Sequence, residues 1–272
     1  MRTVESFIER KAFDIDLTQK EVDGGRITRE QIDTIASFPE AKTIQISGLD
    51  QDTFEYFVDT YAERFTTISF WKNKRVKDLS KLSKLHNVEY LRFFHNQHVK
   101  GLWDLSSNTK LRILALYDMT KLRSISGIEK APALEVFDLG NYVWGTMEID
   151  SLKPLLNSTV KCFAWYGKKV RDGDLLCLSR SRIEVLDMNI SKLTMGELAR
   201  LLAAFPEDLE GTVTLPYIEC TIQEKGDFTT FRYLCKFKGE CIKGRDDARF
   251  EAYLETFRKM LAKEREKNGR RK

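Results

Sequence analysis

The sequence lacks long apolar runs. No stretch of its 272 residues offers the roughly 18 consecutive apolar side chains from which a transmembrane helix is built. The first sixteen residues interrupt their few apolar side chains with charges, whereas a secretory leader has an apolar centre. We therefore expect no membrane partner and predict a soluble, cytoplasmic protein.

Cysteine and histidine are scarce, which argues against disulfides and zinc. The five cysteines are an odd number without paired C-x2-C spacing, as is typical of free thiols in a reducing compartment. His95 and His98 lie three residues apart on a strand-to-loop segment, a spacing open to metal binding, but the favoured explanation is a pair of solvated histidines at the rim. We predict neither a metal nor a cofactor.

The sequence also lacks the short motifs of common chemistries. It contains no G-x-x-x-x-G-K-[ST], G-x-G-x-x-G, G-x-S-x-G or H-E-x-x-H. Basic and acidic residues nearly balance at 45 and 41, so the formal charge of +4 gives no strong field for nucleic acid. These absences predict a protein that is not an enzyme and that binds no nucleic acid.

What the sequence does contain is a repeat. Six segments carry apolar residues at the first, fourth and sixth places of a common frame, and they begin 23, 23, 23, 26 and 23 residues apart. With 42% apolar residues, chance would fill fewer than half of these places, yet every one is apolar. The triplets are Phe65/Ile68/Phe70, Val88/Leu91/Phe93, Leu111/Leu114/Leu116, Leu134/Phe137/Leu139, Val160/Phe163/Trp165 and Ile183/Leu186/Met188, and Ala41/Ile44/Ile46 fits the same frame. This period predicts a stack of strands that share one continuous core.

One segment carries a family pattern. Residues 79–99, LSKLSKLHNVEYLRFFHNQHV, match L-x-x-L-x-L-x-x-N-x-x-L preceded by leucines at every third position. The segment resembles the leucine-rich repeat family, in its short-repeat class of internalins and the phosphatase-1 regulatory subunit. The resemblance implies an α/β solenoid with a curved parallel sheet on the concave face and helices or 3₁₀ turns on the convex face. It also implies a module that holds another protein on the concave sheet.

In this family an asparagine at the ninth place bonds loop backbone groups along the stack. Here that place holds Asn73, Asn96, Met119, Tyr142, Lys168 and Ser191. The resemblance therefore implies such bonds in two repeats only.

The chain is predicted to consist of repeats between two caps. We place an N-terminal cap and degenerate repeat at 1–40, the repeats at 41–215 and a C-terminal cap at 216–272. The connectors 50–64 and 194–208 have the apolar spacing of helices on the outer face of the solenoid.

The C-terminal cap is expected to combine a hairpin with a helix. Val213 and Leu215 are predicted to form the last strand of the stack, followed by two alternating strands around a turn at 224–227. A helix from about Arg245 carries an apolar face that needs a partner surface. That face either covers the open end of the solenoid or docks on another chain.

The candidate binding residues come from the seventh place of the frame. The second, third, fifth, seventh and eighth places are expected on the concave face or its edges, because alternate side chains leave a strand on opposite sides. The seventh place holds an aromatic residue in three consecutive repeats, which predicts a column of rings beside an arginine, the composition of binding hot spots. The predicted protein-binding residues are Trp71, Phe94, Tyr117, Arg92, Tyr90 and Tyr166.

Two structural explanations of the aromatic column stay open. The rings could form a self-packed face, or they could lie beneath a cap. The same face carries Glu135, Asp138, Glu184 and Asp187, an acidic region that would suit a basic partner.

The sequence thus predicts an intracellular protein-binding module that uses its concave face. The alternative is a specific inhibitor or neutralising partner of one enzyme that acts by occlusion. A hydrolase or a metal-binding protein is less favoured, because either would need a deep polar cavity that no pattern indicates.

Overall fold

The computed structural model describes residues 1–8, 12–21, 25–224, 227–237 and 239–269. It divides into two compact units, Val4–Ile183 and Met1–Thr3 with Glu184–Lys272. The domain boundaries expected at residues 40 and 215 stay predictions. Within the second unit, the strand after Ile183 pairs with a residue further along the chain. Val185 bridges to Glu210.

A parallel sheet of seven strands organises the first unit, in the order β1-β2-β3-β4-β5-β6-β8. Its strands are β1 Ile15–Leu17, β2 Thr43–Ser47, β3 Thr67–Trp71, β4 Tyr90–Asn96, β5 Ile113–Met119, β6 Val136–Gly140 and β8 Cys162–Tyr166, while β7 Glu148–Ile149 and β9 Lys169–Val170 pair separately. Ile68 lies opposite Leu91, and Leu91 lies opposite Leu114. Equivalent places of successive repeats are therefore neighbours in the sheet.

The predicted inward triplets form the core. All 18 of their residues are buried, and none exceeds 6% exposure. Aromatic residues stack between repeats, with ring centroids 4.7 Å apart for Phe70 and Phe93 and 5.6 Å apart for Phe137 and Phe163. The frame read from the sequence is thus the packing frame of the protein.

Short helices and 3₁₀ turns connect the strands. The helices are α1 Arg29–Asp33 and α2 Gln51–Thr60, and the 3₁₀ turns include Val4–Phe7, Thr34–Ser37, Ala62–Arg64, Ser80–Lys84, Ile128–Lys130, Lys153–Asn157 and Leu176–Arg180. Asp50 immediately precedes α2 and caps it, because its carboxylate accepts the Thr53 N–H at 3.1 Å. The helix expected in 50–64 is therefore present.

Buried asparagines fix the loops between strands. Asn73 donates to the carbonyl of Ile46 at 3.0 Å and accepts the N–H of Leu49 at 2.8 Å. Asn108, which the frame does not predict, donates to the carbonyls of Leu82 and Leu85, both at 2.8 Å. With the parallel register and the buried triplets, these contacts define the fold. It is an α/β solenoid of the leucine-rich repeat type.

The second unit holds the remaining strands and two helices. Its elements are β10 Val185–Met188, α3 Met195–Ala204, β11 Tyr217–Glu224, β12 Asp227–Leu234, β13 Glu240–Ile242 and α4 Asp247–Gly269. The last strand expected at Val213 and Leu215 is absent, and Thr212–Thr214 forms a 3₁₀ turn instead. The backbone N–H of Thr212, the first residue of this turn, donates to the buried carboxylate of Asp187 at 2.7 Å.

Helix α4 covers its apolar face inside its own unit. Phe250 and Phe257 are buried, and Phe250 packs with Leu234 and Cys241 of the three-stranded antiparallel sheet. Tyr253 donates its hydroxyl to the carbonyl of Pro216 at 2.6 Å. The predicted hairpin is present with β13 as a third strand, while residues 225 and 226 of its predicted turn lie outside the described residues.

Three further findings concern the described part of the chain. None of its helices is both long and apolar enough to cross a membrane. All five cysteines are free thiols, and only Cys220 is exposed. No three His, Cys, Asp or Glu side chains within it come together as a metal site requires.

Candidate protein-binding site on the concave face

A cavity of about 920 Å³ opens on the face of the sheet that bears the third, fifth and seventh places. Side chains from β2 to β6 line it, together with residues of the N-terminal segment. Among them are five of the six predicted binding residues, Trp71, Tyr90, Arg92, Phe94 and Tyr117. The sixth, Tyr166, is half-buried and does not line the cavity.

Trp71 and Phe94 form a stacked pair on this face. They are opposite each other in the β3–β4 register, with ring centroids 4.2 Å apart and planes inclined by 21°. Both side chains are half-buried, so part of each ring remains open to the cavity. The sheet register therefore holds a stacked apolar surface on the cavity wall.

Arg92 lies between this stack and the next repeat. Its guanidinium carbon is 5.5 Å from the Trp71 ring centroid and 5.6 Å from that of Tyr117, within cation–π range of both. Ser69 and Ala115 flank Arg92 in the sheet, and their small side chains leave room for the guanidinium.

Tyr117 belongs to the face but not to an open column. Its ring is buried, and its hydroxyl donates to Asp138 at 2.7 Å. The Tyr142 ring packs edge-on against the Tyr117 ring, with the two centroids 4.5 Å apart. Burial, followed by the neighbouring Asp138 carboxylate, raises the pKa of Tyr117 far above its usual range. The predicted column of three stacked rings thus reduces to the Trp71–Phe94 pair, and Tyr117 is held as part of the structure.

Replacing Tyr117 with phenylalanine is expected to lower the free energy of unfolding by about 1.5–3 kcal/mol, because the Asp138 carboxylate loses a buried donor. Urea denaturation of the variant and of wild type measures the difference. Tyr233→Phe is the control, since Tyr233 is half-exposed and its hydroxyl forms no hydrogen bond within the described part of the chain. Equal stability of Tyr117→Phe and wild type would show that the hydrogen bond contributes nothing.

The N-terminal segment covers one end of the face. Its turn, Val4–Phe7, packs against β6 and β8, and Val4 is buried there. Glu5, Phe7 and Ile8 form part of the cavity wall. Of the explanations left open by the sequence, a partial cover thus applies toward β8, while Trp71 and Phe94 remain accessible.

Residues 142–144 form a loop at the rim of the cavity, called the rim loop below, which the sequence did not predict. Its three apolar side chains are 60%, 60% and 41% exposed. The ring centroids of Trp144 and His95 are 4.2 Å apart. The buried carboxylate of Asp118 accepts the backbone N–H groups of all three loop residues at 3.1–3.2 Å. The loop is therefore fixed, and its only signal in the sequence is the 26-residue spacing between Leu134 and Val160.

The expected acidic region is not an open patch. Asp138 and Asp187 are buried and accept structural hydrogen bonds, from Tyr117 and from the Thr212 backbone respectively. Glu135 pairs with Arg112 at 2.9 Å. These carboxylates mainly serve contacts within their own units.

Comparison with known proteins adds little to this description. No family profile and no curated protein matches the sequence. Two internalin crystal structures from Listeria monocytogenes are similar in fold. The inlF structure has 16% identity over 68% of this chain and 62% of its own, with a TM-score of 0.40. Internalin C2 has 20% identity over 68% of this chain and 73% of its own, with a TM-score of 0.38. The chain thus spans less than two thirds of the length of the inlF structure.

Proposed function

We propose that this protein binds a segment of another protein on its concave face, with Trp71 and Phe94 as the central contacts. The observation that carries the proposal is the stack of these two rings on the wall of an open cavity. Large aromatic side chains next to an arginine are the residues that contribute most to protein interfaces. Because the sheet register fixes both rings, binding would cost little side-chain entropy.

The rim loop enlarges this surface. Tyr142 lines the same cavity, and Val143 and Trp144 extend an exposed apolar area beside it. The Asp118 hydrogen bonds hold the loop backbone before any ligand arrives, so the contact surface is preorganised. An extended apolar area of this kind on a folded domain is typical of a protein-binding site.

Trp71→Ala and Phe94→Ala are expected to weaken binding by about 2 kcal/mol each while leaving the fold nearly intact. The measurement is affinity capture from an extract of the source cells on immobilised full-length protein, followed by titration of the captured protein against each variant. Melting curves of both variants check that they remain folded.

Phe38→Ala is the matched control, because Phe38 directly follows a 3₁₀ turn, is 50% exposed and does not line the cavity. A partner retained by wild type and by Phe38→Ala, but released by Trp71→Ala and Phe94→Ala, supports the proposal. A partner that all variants bind equally well would place recognition elsewhere on the molecule.

A further inference from the structure

We infer that the cavity recognises one carboxylate side chain of the partner, bound by Arg92, beside an apolar side chain that packs on Trp71 and Phe94. This inference rests on the proposed function and specifies the chemistry of the segment that binds. The ligand is an extended peptide segment in which an Asp or Glu stands next to an apolar residue.

Arg92 is a cation for which the described residues provide no counter-ion. Within the described part of the chain, its guanidinium forms neither an ion pair nor a hydrogen bond, and its contacts are the two aromatic rings. The residue is only half-exposed, so water solvates it incompletely. A guanidinium carries five N–H donors, and a carboxylate oxygen is the acceptor that matches them best.

The other arginines over aromatic rings in the described part of the chain each have an oxygen acceptor. Arg64 lies over Phe65 and donates to two backbone carbonyls. Arg29 lies over Tyr56 and pairs with Asp52 at 2.7 Å. Arg232 lies over Phe250 and pairs with Asp247 at 2.9 Å. Arg92 differs from these arginines because the described residues give it two rings but no oxygen acceptor, which leaves that position for a ligand.

A second donor stands nearby on the same wall. Thr67 lines the cavity, and its register partner on β4 is Tyr90, two residues before Arg92. The Thr67 hydroxyl has no hydrogen-bond partner among residues 1–8, 12–21, 25–224, 227–237 and 239–269. The Arg92 guanidinium and the Thr67 hydroxyl are thus two donors without an acceptor among the described residues, which favours a ligand that presents oxygen atoms to this part of the wall.

The other charges of the cavity favour a single carboxylate over a polyanion. Glu5 and Glu89 line the cavity and are exposed, so they would repel a phosphate chain or nucleic acid. Asp138 also lines the cavity, but it is buried and accepts the Tyr117 hydroxyl. Arg112 lines it as well and is already paired with Glu135. Among the described lining residues, Arg92 is thus the positive charge without an acidic partner, and it is enough for one carboxylate.

The length of the cavity favours a side chain over a chain terminus. Its lining extends from Thr43 on β2 to Asp138 on β6, and five adjacent strands span about 19 Å. Arg92 on β4 lies inside this span, with lining residues on both sides of it, so a bound segment can extend past Arg92 in both directions before it reaches the end that the N-terminal turn covers. We assign the carboxylate to an Asp or Glu within such a segment.

The test uses full-length protein and a display library of random twelve-residue peptides. Selected peptides are expected to share an acidic residue next to an aromatic or aliphatic one. Each winner is then synthesised with blocked termini, and also with its acidic residue changed to the amide. The amide change is expected to weaken binding to wild type at least tenfold, and to change binding to Arg92→Gln little.

Arg29→Gln is the matched control, since Arg29 also lies over a ring but outside the cavity, and it should bind like wild type. The amide change in the peptide needs no protein variant, so the test stands even if Arg92→Gln misfolds. Winners that need Trp71 and Phe94 but no acid overturn this inference and leave the proposed function intact, and so do winners that bind only through a free C-terminus or only when phosphorylated. An empty selection, or winners indifferent to Trp71, Phe94 and Arg92, overturns both.

Discussion

Leu114→Ala is expected to lower the free energy of unfolding by about 2–5 kcal/mol. Leu114 is fully buried on β5, between Leu91 on β4 and Phe137 on β6. Each neighbouring strand is held in register by the next, so the core cannot collapse into the space that the side chain leaves. Urea denaturation followed by circular dichroism measures the loss.

Leu176→Ala serves as the control for this prediction. Leu176 lies on a 3₁₀ turn and is 42% exposed. The same substitution there is expected to change the free energy of unfolding by no more than about 0.5 kcal/mol. If the two leucine variants are equally stable, the inward places of the frame do not form the core.

Asn96→Ala is expected to cost about 2–4 kcal/mol of unfolding free energy. The Asn96 amide donates to the carbonyls of Asn73 and Val76 at 2.8 and 2.9 Å. Its oxygen accepts the backbone N–H groups of His98 and Val99, both at 2.9 Å. Alanine leaves four backbone groups without these partners, and each buried unsatisfied group costs about 1–3 kcal/mol unless water reaches it.

Two further variants sharpen the asparagine experiment. Asn157→Ala removes an exposed asparagine and is expected to change stability by less than about 0.5 kcal/mol. Asn96→Asp keeps the acceptor for His98 and Val99 but places a carboxylate oxygen against the carbonyls of Asn73 and Val76, so a loss at least as large as that of Asn96→Ala is expected. A loss for Asn96→Ala no larger than for Asn157→Ala would mean that water replaces the side chain at no cost.

The strands and the core could be predicted because the repeat places the same requirement on every segment. Phe65 and Leu186 stand far apart in sequence, yet both occupy a place that the frame marks as inward, and both are buried. The ninth-place asparagines follow the same logic, and Asn73 and Asn96 both bond the loop backbone. Wherever the frame weakens, prediction weakens too, as at Val213, which lies in a 3₁₀ turn.

The site was harder to predict because its features depend on contacts across long stretches of chain. Tyr117 is buried through Asp138, 21 residues away, and the frame contains no information on that pairing. The N-terminal segment contributes Phe7 and Phe13 to a cavity whose walls on the sheet lie beyond residue 40. The rim loop has a sequence signal in its extra length, but its fixed position depends on Asp118 in the preceding repeat. The role of Arg92, Trp71 and Phe94 in binding remains a prediction.

The strand alternation has an evolutionary consequence. Trp71, Arg92 and Phe94 point into the cavity and are only half-buried, while the side chains at the fourth and sixth places are buried and hold the fold, so the two sets can change independently. A lineage of such proteins can therefore acquire a new ligand by single substitutions at these three positions. Tyr117 differs from them, since a mutation there changes the surface and the stability together. Drift in specificity should accordingly begin at β3 and β4 and be slowest at β5.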